Sequence, residues 1–287
     1  MISIVQKNPM NFVYRMKPLS ALIGHCLAVL ELLATEGRDV RFAEIVEQTA
    51  MPKGSAHLLL STLCVHGWVE QDPSTGTYRL GMRLPVLGQR FLIGTGIADI
   101  CQPVLDRVAR ESGELVRLAI VSGDGLTWVS QAQGARTGLI YQPQMTVRVS
   151  LPVTATGKAW LATLPRDEAL KIILKAGFGN PEHLGPNAVR SIDAMIGQIA
   201  LTQERGYGLV IEEAEVGIVG VAAAIRPGGG DAVGTISIAG SVFRINDNRI
   251  PELARLVQAA ATDLATVWPL RPLHQSTIMR EVEAVRS

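Results

Sequence analysis

Apolar residues recur at positions 19, 22, 23, 26, 27, 30 and 33, the three-and-four spacing of one helix face. This predicts a helix over 19–34 with that face inward, Ser20 capping its start and Gly37 just past its end. Phe42, Ile45 and Val46 mark a shorter helix over 42–50, and Pro52 interrupts the pattern beyond it. A third helix over 53–66 turns Ala56, Leu59, Leu60 and Leu63 to one side, leaving Lys53, Ser55, His57, Leu58, Ser61 and Thr62 toward the other. After Gly67 the period changes. Trp68-Val69-Glu70-Gln71, the turn formers Asp72-Pro73-Ser74-Thr75-Gly76 and then Thr77-Tyr78-Arg79-Leu80 read as strand, tight loop, strand. Three helices followed by a hairpin make a winged helix-turn-helix.

Residues 80–97 keep an apolar period but contain Gly81, Pro85, Gly88, Gly94 and Gly96, as expected of a connecting helix with weak points. The chain beyond them mixes helices and strands. Helices are expected over 99–112, with Pro103 in the first turn, and over 154–163, 166–176, 191–205 and 251–268. Strands are expected over 115–121 and 126–133 around Ser122-Gly123-Asp124-Gly125, then over 146–151, 209–211, 218–226 and 232–239. Paired hairpin strands with helices grouped between them suggest an antiparallel sheet in an α+β domain. The expected division is a flexible basic N-terminus (1–18), a winged helix-turn-helix (19–81), a linker helix (82–98), a second domain (99–270) and a tail (271–287).

Composition adjusts this picture in a few places. A chain of 287 residues with 47% hydrophobic and 18% charged residues supports two globular domains. Apolar runs such as 217–225 fall far short of the roughly 20 residues that cross a bilayer, and Gln6, Asn8, Pro9 and Asn11 break any signal-type core near the start. A cytoplasmic protein without a membrane partner is expected. Cys26, Cys64 and Cys101 are too dispersed for a zinc site or a disulfide framework and read as plain thiols. Net charge is +1, and residues 17–80 hold five Lys or Arg against seven Asp or Glu, so charge alone does not point to nucleic acid. The acids are unevenly spread, however: residues 51–69 contain Lys53, His57 and His66 and no carboxylate.

A polar-faced helix of this size enters the major groove with its N-terminal amides near phosphate. Lys53, Ser55, His57, Ser61 and Thr62 are the candidate DNA contacts, with Arg79 on the wing reaching backbone or minor groove. Two plainer readings stand beside this: winged helices also serve as assembly modules, and Ser or Thr near a helix start can be a cap. Thr156-Gly157-Lys158 lacks the upstream glycine and the following Ser or Thr of a phosphate-binding loop, so no nucleotide cofactor is expected. Glu212, Glu213 and Glu215 form an acidic cluster with no histidine near it in the sequence and read as a structural or solvated turn. No metal site and no catalytic residues are expected.

The chain resembles the IclR family of bacterial transcription regulators. The resemblance is carried by Ala43-Glu44-Ile45 to Pro52-Lys53, His57, Leu59-Leu60, Thr62-Leu63, His66-Gly67, Glu70, Asp72-Pro73, Gly76 and Tyr78-Arg79-Leu80-Gly81. Further matches are Leu151 with Thr154-Ala155 and Gly157-Lys158-Ala159, then Arg205-Gly206-Tyr207 through Glu212-Glu213, Gly217 and Val221-Ala222-Ala223 to Ser237-Ile238 and Gly240. The family implies a winged helix joined by a helix to a GAF-like antiparallel-sheet domain that binds a small organic effector. It also implies a homodimer or homotetramer on paired half-sites of a double-stranded DNA operator.

Carried over position by position, the effector lining is Tyr141, Val149, Ala155, Thr156, Val210, Ile218, Gly220, Ser237 and Ala239. Members that bind small keto acids have an acid where Val210 stands, a cysteine at Gly220 and a second serine at Ala239. This pocket is therefore expected to be less polar and, at Gly220, roomier. That favours an aromatic compound or aromatic acid, and a regulator of a catabolic operon. Leu58 stands where Arg is common on the recognition helix, and Pro152 replaces a usual histidine. The rival reading is an enzyme or small-molecule carrier whose winged helix serves assembly.

Overall fold

The computed structural model describes residues 20–137, 140–143 and 149–268. The expected N-terminal arm and C-terminal tail lie outside these residues, as does most of the strand expected over 146–151; its described end, 149–151, is not strand. The chain divides into two compact units, residues 1–94 and 95–287.

The first unit comprises α1 (Ala21–Glu36), α2 (Phe42–Thr49), α3 (Lys53–Val65), the antiparallel strands β1 (Val69–Gln71) and β2 (Tyr78–Leu80), and α4 (Arg83–Thr95). Val40 adds a one-residue bridge to Tyr78, with N–H···O bonds of 2.8 Å in both directions, and so ties the α1–α2 connection to the hairpin. The core is Val29, Leu33, Val40, Ile45, Met51, Ala56, Leu59, Leu60, Leu63, Val69 and Tyr78. On α3 the expected inner face is the buried one. On α1 it is so only in part: Leu33 is buried and Cys26 and Leu30 pack against the core, but Leu22, Ile23 and Leu27 are exposed, and Val29, outside the expected face, is sealed in the core. The periodicity was real, but the helix has more apolar surface than one small core covers. Ser20 holds the N-cap position without a side-chain bond, its carbonyl accepting from Gly24 N, while Gly37 ends the helix at φ 60°.

The second unit begins at Thr95, the last residue of α4. Gly96 (φ 67°) breaks the helical path, and α5 runs over Ile97–Ser112. Because α5 starts at Ile97, Pro103 sits beyond the first turn expected for it. A five-stranded sheet follows, built from β3 (Leu115–Val121), β4 (Leu126–Gln133), β5 (Gly208–Ile211), β6 (Ile218–Ile225) and β7 (Gly234–Ser241) in the order β4-β3-β7-β6-β5, every neighbour antiparallel. The helices are α6 (Ala155–Leu161), α7 (Arg166–Ala176), α8 (Ile192–Arg205) and α9 (Ile250–Val267).

Strand alternation sorts the two faces. Val116, Leu118, Val219, Val221, Ile236 and Ile238 pack against Cys101, Leu105 and Val108 of α5 and Leu253, Val257 and Leu264 of α9. The opposite face receives α6: Ala155 and Ala159 meet Val210 and Ala222. A second cluster there joins Ala119, Leu126 and Val149 to Trp160, Ile173 and Met195. Glu114, 1% exposed, anchors the end of β3. It accepts from Arg244 Nε and Nη2 at 2.7 and 2.6 Å and from Arg249 Nη1 at 3.3 Å. A side chain at Gly240 would collide with this carboxylate.

The start of α6 is fixed by close approach. Thr154 caps it through Oγ1, accepting from Gly157 N at 3.1 Å, and a Cβ on Gly157 would lie 2.2 Å from the Leu151 carbonyl oxygen. Backbone cannot yield as a flexible side chain does. Gly157→Ala is therefore expected to lower stability by about 1–3 kcal/mol or more, as a loss in the urea midpoint at unchanged m-value; an unchanged midpoint would show that the loop before α6 gives way freely.

Candidate DNA-binding and effector-binding sites

In the first unit, α3 leaves Lys53, Ser55, His57, Leu58, Ser61 and Thr62 exposed. Pro52 precedes it without a side-chain cap, and the first turn contains no acid. The amides of the first turn have no partner within the helix and carry its positive dipole end. Ser55 is not the cap, so its hydroxyl is free of that duty. Gly54 presents open space where a side chain would be, which allows a ligand close to the backbone.

Three candidate contacts are already engaged. The His57 ring stacks against Phe42 of α2 at 4.3 Å between centroids, Thr62 Oγ1 donates to Leu58 O at 2.8 Å, and Arg79 is held by Glu70 across the hairpin, with Nε and Nη2 both 3.0 Å from Oε2. The wing tip is organised by Asp72, whose Oδ1 accepts from Ser74 N (2.7 Å), Ser74 Oγ (2.5 Å) and Thr75 N (3.2 Å). Those bonds hold its carboxyl below the usual range.

In the second unit, the candidate effector residues fall into two groups. Val210, Gly220 and Ala239 lie in one cross-strand row, and here the expectation of extra room is corrected. A Cβ on Gly220 would sit 3.1 Å from Val210 Cγ2 and 3.5 Å from Ala155 Cβ. The space above Gly220 is filled by α6, because the small residues Ala155 and Ala159 let the helix settle directly onto β5 and β6. Thr156 is buried in the same helix.

The second group lies outside that row. Ser237 is buried, and its Oγ lies 3.5 Å from Arg117 O. Val149 is buried and its N donates to Leu126 O at 3.0 Å. Ile218, at the start of β6, is half-buried, as is Ala239 of the first row. Tyr141, also half-buried, donates its hydroxyl to Glu215 Oε1 at 3.1 Å; burial, with the Glu215 charge, pushes its pKa up.

Sequence reasoning missed Arg117 and Trp128. Arg117 pairs with Ser237 of β7 on one side and Gln131 of β4 on the other, on the face turned away from α5 and α9. It is only 7% exposed, and its guanidinium carbon lies 3.6 Å from the Trp128 ring centroid. Its Nε and Nη2 have no hydrogen-bond partner among the described residues. The signal was present as one charged residue in the middle of the apolar run Leu115–Val121.

Lys158 and the acidic cluster also acquire definite roles. Lys158, fully buried, reaches Glu213 Oε1 at 2.5 Å and Gln198 Oε1 at 3.2 Å. Desolvation pushes Lys158 down and Glu213 up, each toward its neutral form, and their contact opposes both shifts. Glu212 sits at φ 53° and accepts from Gly217 N at 2.7 Å, while Glu215 holds Tyr141. The turn is structural at 212 and 213, as expected of it, and at 215 it borders the sheet face.

Two open clefts, of about 540 and 520 Å3, lie elsewhere in this unit. Arg110, Gln133 and Arg136 border the first, Gln203, Tyr207 and Gln258 the second. Among the described residues no group of three or more His, Cys, Asp or Glu is placed to hold a metal, and no helix is long and apolar enough to cross a membrane. Cys101 is buried, its thiol pushed up to about 11 by desolvation; Cys26 and Cys64 are half-buried.

A winged helix with a polar, acid-free recognition helix, followed by a separate antiparallel-sheet domain, defines a DNA-binding regulator with a second domain. Residues 89–266 match the profile of the bacterial transcriptional regulator IclR C-terminal region, and residues 23–73 match the IclR helix-turn-helix domain. The chain belongs to the IclR family. It is 27% identical over 251 residues to the HTH-type transcriptional regulator XynR of Escherichia coli, covering 86% of this chain and 97% of that protein. To the transcriptional repressor IclR of the same organism it is 28% identical over 249 residues, covering 84% and 88%.

Among solved structures, an IclR transcriptional regulator from Alicyclobacillus acidocaldarius superposes with a TM-score of 0.73 at 19% identity, covering 88% of this chain and 99% of that one. An IclR homolog from Microbacterium hydrocarbonoxydans, complexed with 4-hydroxybenzoate, gives 0.70 at 19% identity, covering 86% and 98%. These relatives are transcription regulators and not enzymes, which sets the enzyme reading aside for this chain.

Removing one partner of a buried ion pair strands the other charge. Lys158→Met is expected to cost about 3–5 kcal/mol in chemical unfolding, with much of it recovered by adding Glu213→Leu. A single variant within 1 kcal/mol of the parent, taken as roughly the worth of an exposed pair, would show that water reaches the site.

Proposed function

We propose that this regulator binds an operator as a homodimer or homotetramer through the exposed face of α3, and that a small organic effector seated on the second unit's sheet controls that binding. The observation that carries the reading is the outer face of α3: Lys53, Ser55, His57, Ser61 and Thr62 stand together beside uncapped helix amides, with no carboxylate in the first turn. Side chains of this kind make the hydrogen bonds that position and read a duplex. Leu58, exposed in the same face, is suited to thymine methyl contact. Arg79 reaches phosphate only by exchanging Glu70 for it, an exposed pair that is weak in water.

The effector is assigned to an aromatic compound or aromatic acid and the target to a catabolic operon. Support comes from the apolar walls of the α6 side of the sheet and from the Microbacterium protein of the same fold, which holds 4-hydroxybenzoate. Effector binding acts by favouring one of two arrangements that differ in DNA affinity. Its site of action is the cytoplasm, where the chromosome lies.

A gel-shift titration on the DNA upstream of its own gene, with excess non-specific competitor, tests the regulator. Tight binding that one aromatic compound alters is the expected result; binding no tighter than to random DNA would sink the operator assignment. Ser55→Ala with His57→Ala should abolish operator binding while ligand binding persists. Lys53→Ala should weaken binding across sequences and reduce the salt slope by about 1.

The self-association surface is assigned to the apolar side chains that the first unit leaves open, Leu22, Ile23 and Leu27 on α1 and Val86, Leu87 and Phe91 on α4. Ile23→Glu with Phe91→Glu should reduce the particle to a monomer by light scattering after size exclusion. An unchanged oligomer would exclude these helices from the interface.

A further inference from the structure

The second unit buries a cation, Arg117, two of whose donor nitrogens meet no hydrogen-bond acceptor among the described residues. Arginine stays protonated in proteins, and removing it from water without acceptors is costly. Arg117 is 7% exposed, and its guanidinium lies over the Trp128 ring, 3.6 Å from the centroid. Stacking on an indole accommodates the flat face of the guanidinium but leaves its rim of N–H donors unanswered.

The two orphaned donors, Nε and Nη2, lie on one edge of that rim. They form the fork that meets both oxygens of a carboxylate at once. Glu215 is close enough to act on Arg117 electrostatically, yet its Oε1 accepts from Tyr141 and it is exposed at the border of the face. It does not fill the fork. A single positive charge with one carboxylate already nearby suits a monoanion better than a dianion.

We propose that Arg117 is the anion receptor of the effector site, its Nε–Nη2 edge holding the carboxylate of a planar organic monoacid whose apolar part lies toward Trp128 and Val149. This rests on the reading of the sheet face as the effector site, and narrows the ligand from aromatic compounds at large to acids in their ionised form. Trp128 and Val149 belong to one apolar cluster, which supplies a wall for the remainder of the ligand. Ser237, which pairs with Arg117 across β3 and β7, is buried, its Oγ 3.5 Å from the Arg117 main-chain oxygen.

The test is calorimetric titration of the full-length protein with benzoate, 4-hydroxybenzoate and phenylacetate, each against its neutral amide, which keeps the shape and removes the charge. At least one acid should bind, and more tightly than its amide by roughly 10- to 100-fold, the usual worth of hydrogen bonds to a charged group. Arg117→Gln should erase that preference by weakening the acid alone. Arg117→Lys should keep part of it, since an ammonium supplies charge without the fork.

Equal binding of acid and amide to the unaltered protein, or an acid preference that survives in Arg117→Gln, overturns the proposal. The first comparison needs no variant to fold. Ser237→Trp, checked for a cooperative melt, separates the two readings. If the acid preference is absent but Ser237→Trp abolishes binding, the sheet face remains the effector site and only the role of Arg117 falls. If ligands bind Ser237→Trp as they bind the parent, the face itself is wrong and both fall. Failure of every acid and amide to bind the unaltered protein likewise overturns the planar monoacid.

Discussion

The contact on which the second unit depends is the one that seats α6 on the sheet. Gly157 presses against the Leu151 backbone at a distance no side chain tolerates, Thr154 closes the turn, and Lys158 runs inward to Glu213 on the β5–β6 turn. A buried ion pair is a weak source of net stability but a strong source of register, because any other placement of α6 leaves a charge without its partner. Once α6 is fixed, Ala155 and Ala159 close the sheet over Val210 and Gly220. The part of that face around Ser237 and Arg117 lies toward β3 and β4, away from the β5 edge.

The two units use charge in opposite ways. In the first, every charged residue in the described helices and hairpin is exposed or half-exposed, and its pairs, such as Arg79 with Glu70 and Arg38 with Glu44, exchange readily for water or phosphate. This suits a surface that must bind and release a polyanion. In the second, Glu114, Arg117, Lys158 and Glu213 are all buried. Glu114 is satisfied by two arginines and Lys158 by Glu213 and Gln198. Arg117 differs in having a ring in place of an acceptor, so the same low dielectric that makes the first two pairs structural makes this third cation responsive to what approaches it.

How much of this the sequence disclosed follows from the range of the interactions involved. The faces of α3, the turn at Asp72 and the antiparallel sheet all follow from periodicity and turn chemistry, which are local. The exposed apolar side chains of α1 could not be told from core positions, since spacing marks a stripe without saying what covers it. Gly220 read as added space because the position was judged alone; Val210 and Ala155 fill it across a strand and a helix. Lys158 and Glu213 were both noticed, 55 residues apart, but nothing local pairs them. Arg117 is one charged position within an apolar strand, and its significance arises from the β4 register that sets Trp128 against it. The places where local reasoning failed are those where long-range packing decides, and two of them, Gly220 and Arg117, lie on the candidate effector face.

A sensor also needs a ligand that distinguishes two arrangements, since equal affinity for both shifts nothing. Moving a population from 1:99 to 99:1 takes about 5.5 kcal/mol of differential binding. Apolar contact alone supplies this poorly, because an apolar ligand loses little when a wall retreats slightly. A carboxylate clasped in a dry fork is different: its energy depends steeply on distance and on the exclusion of water, so a small retreat forfeits much of it. Arg117 is well placed to pass that constraint on. It is carried by β3, whose flanking residues Val116 and Leu118 face the opposite way into the packing of α5. With the strand hydrogen-bonded on both sides to β4 and β7, movement of one face cannot be separated from movement of the other. The strand that presents the cation thus also forms part of the floor on which α5 rests.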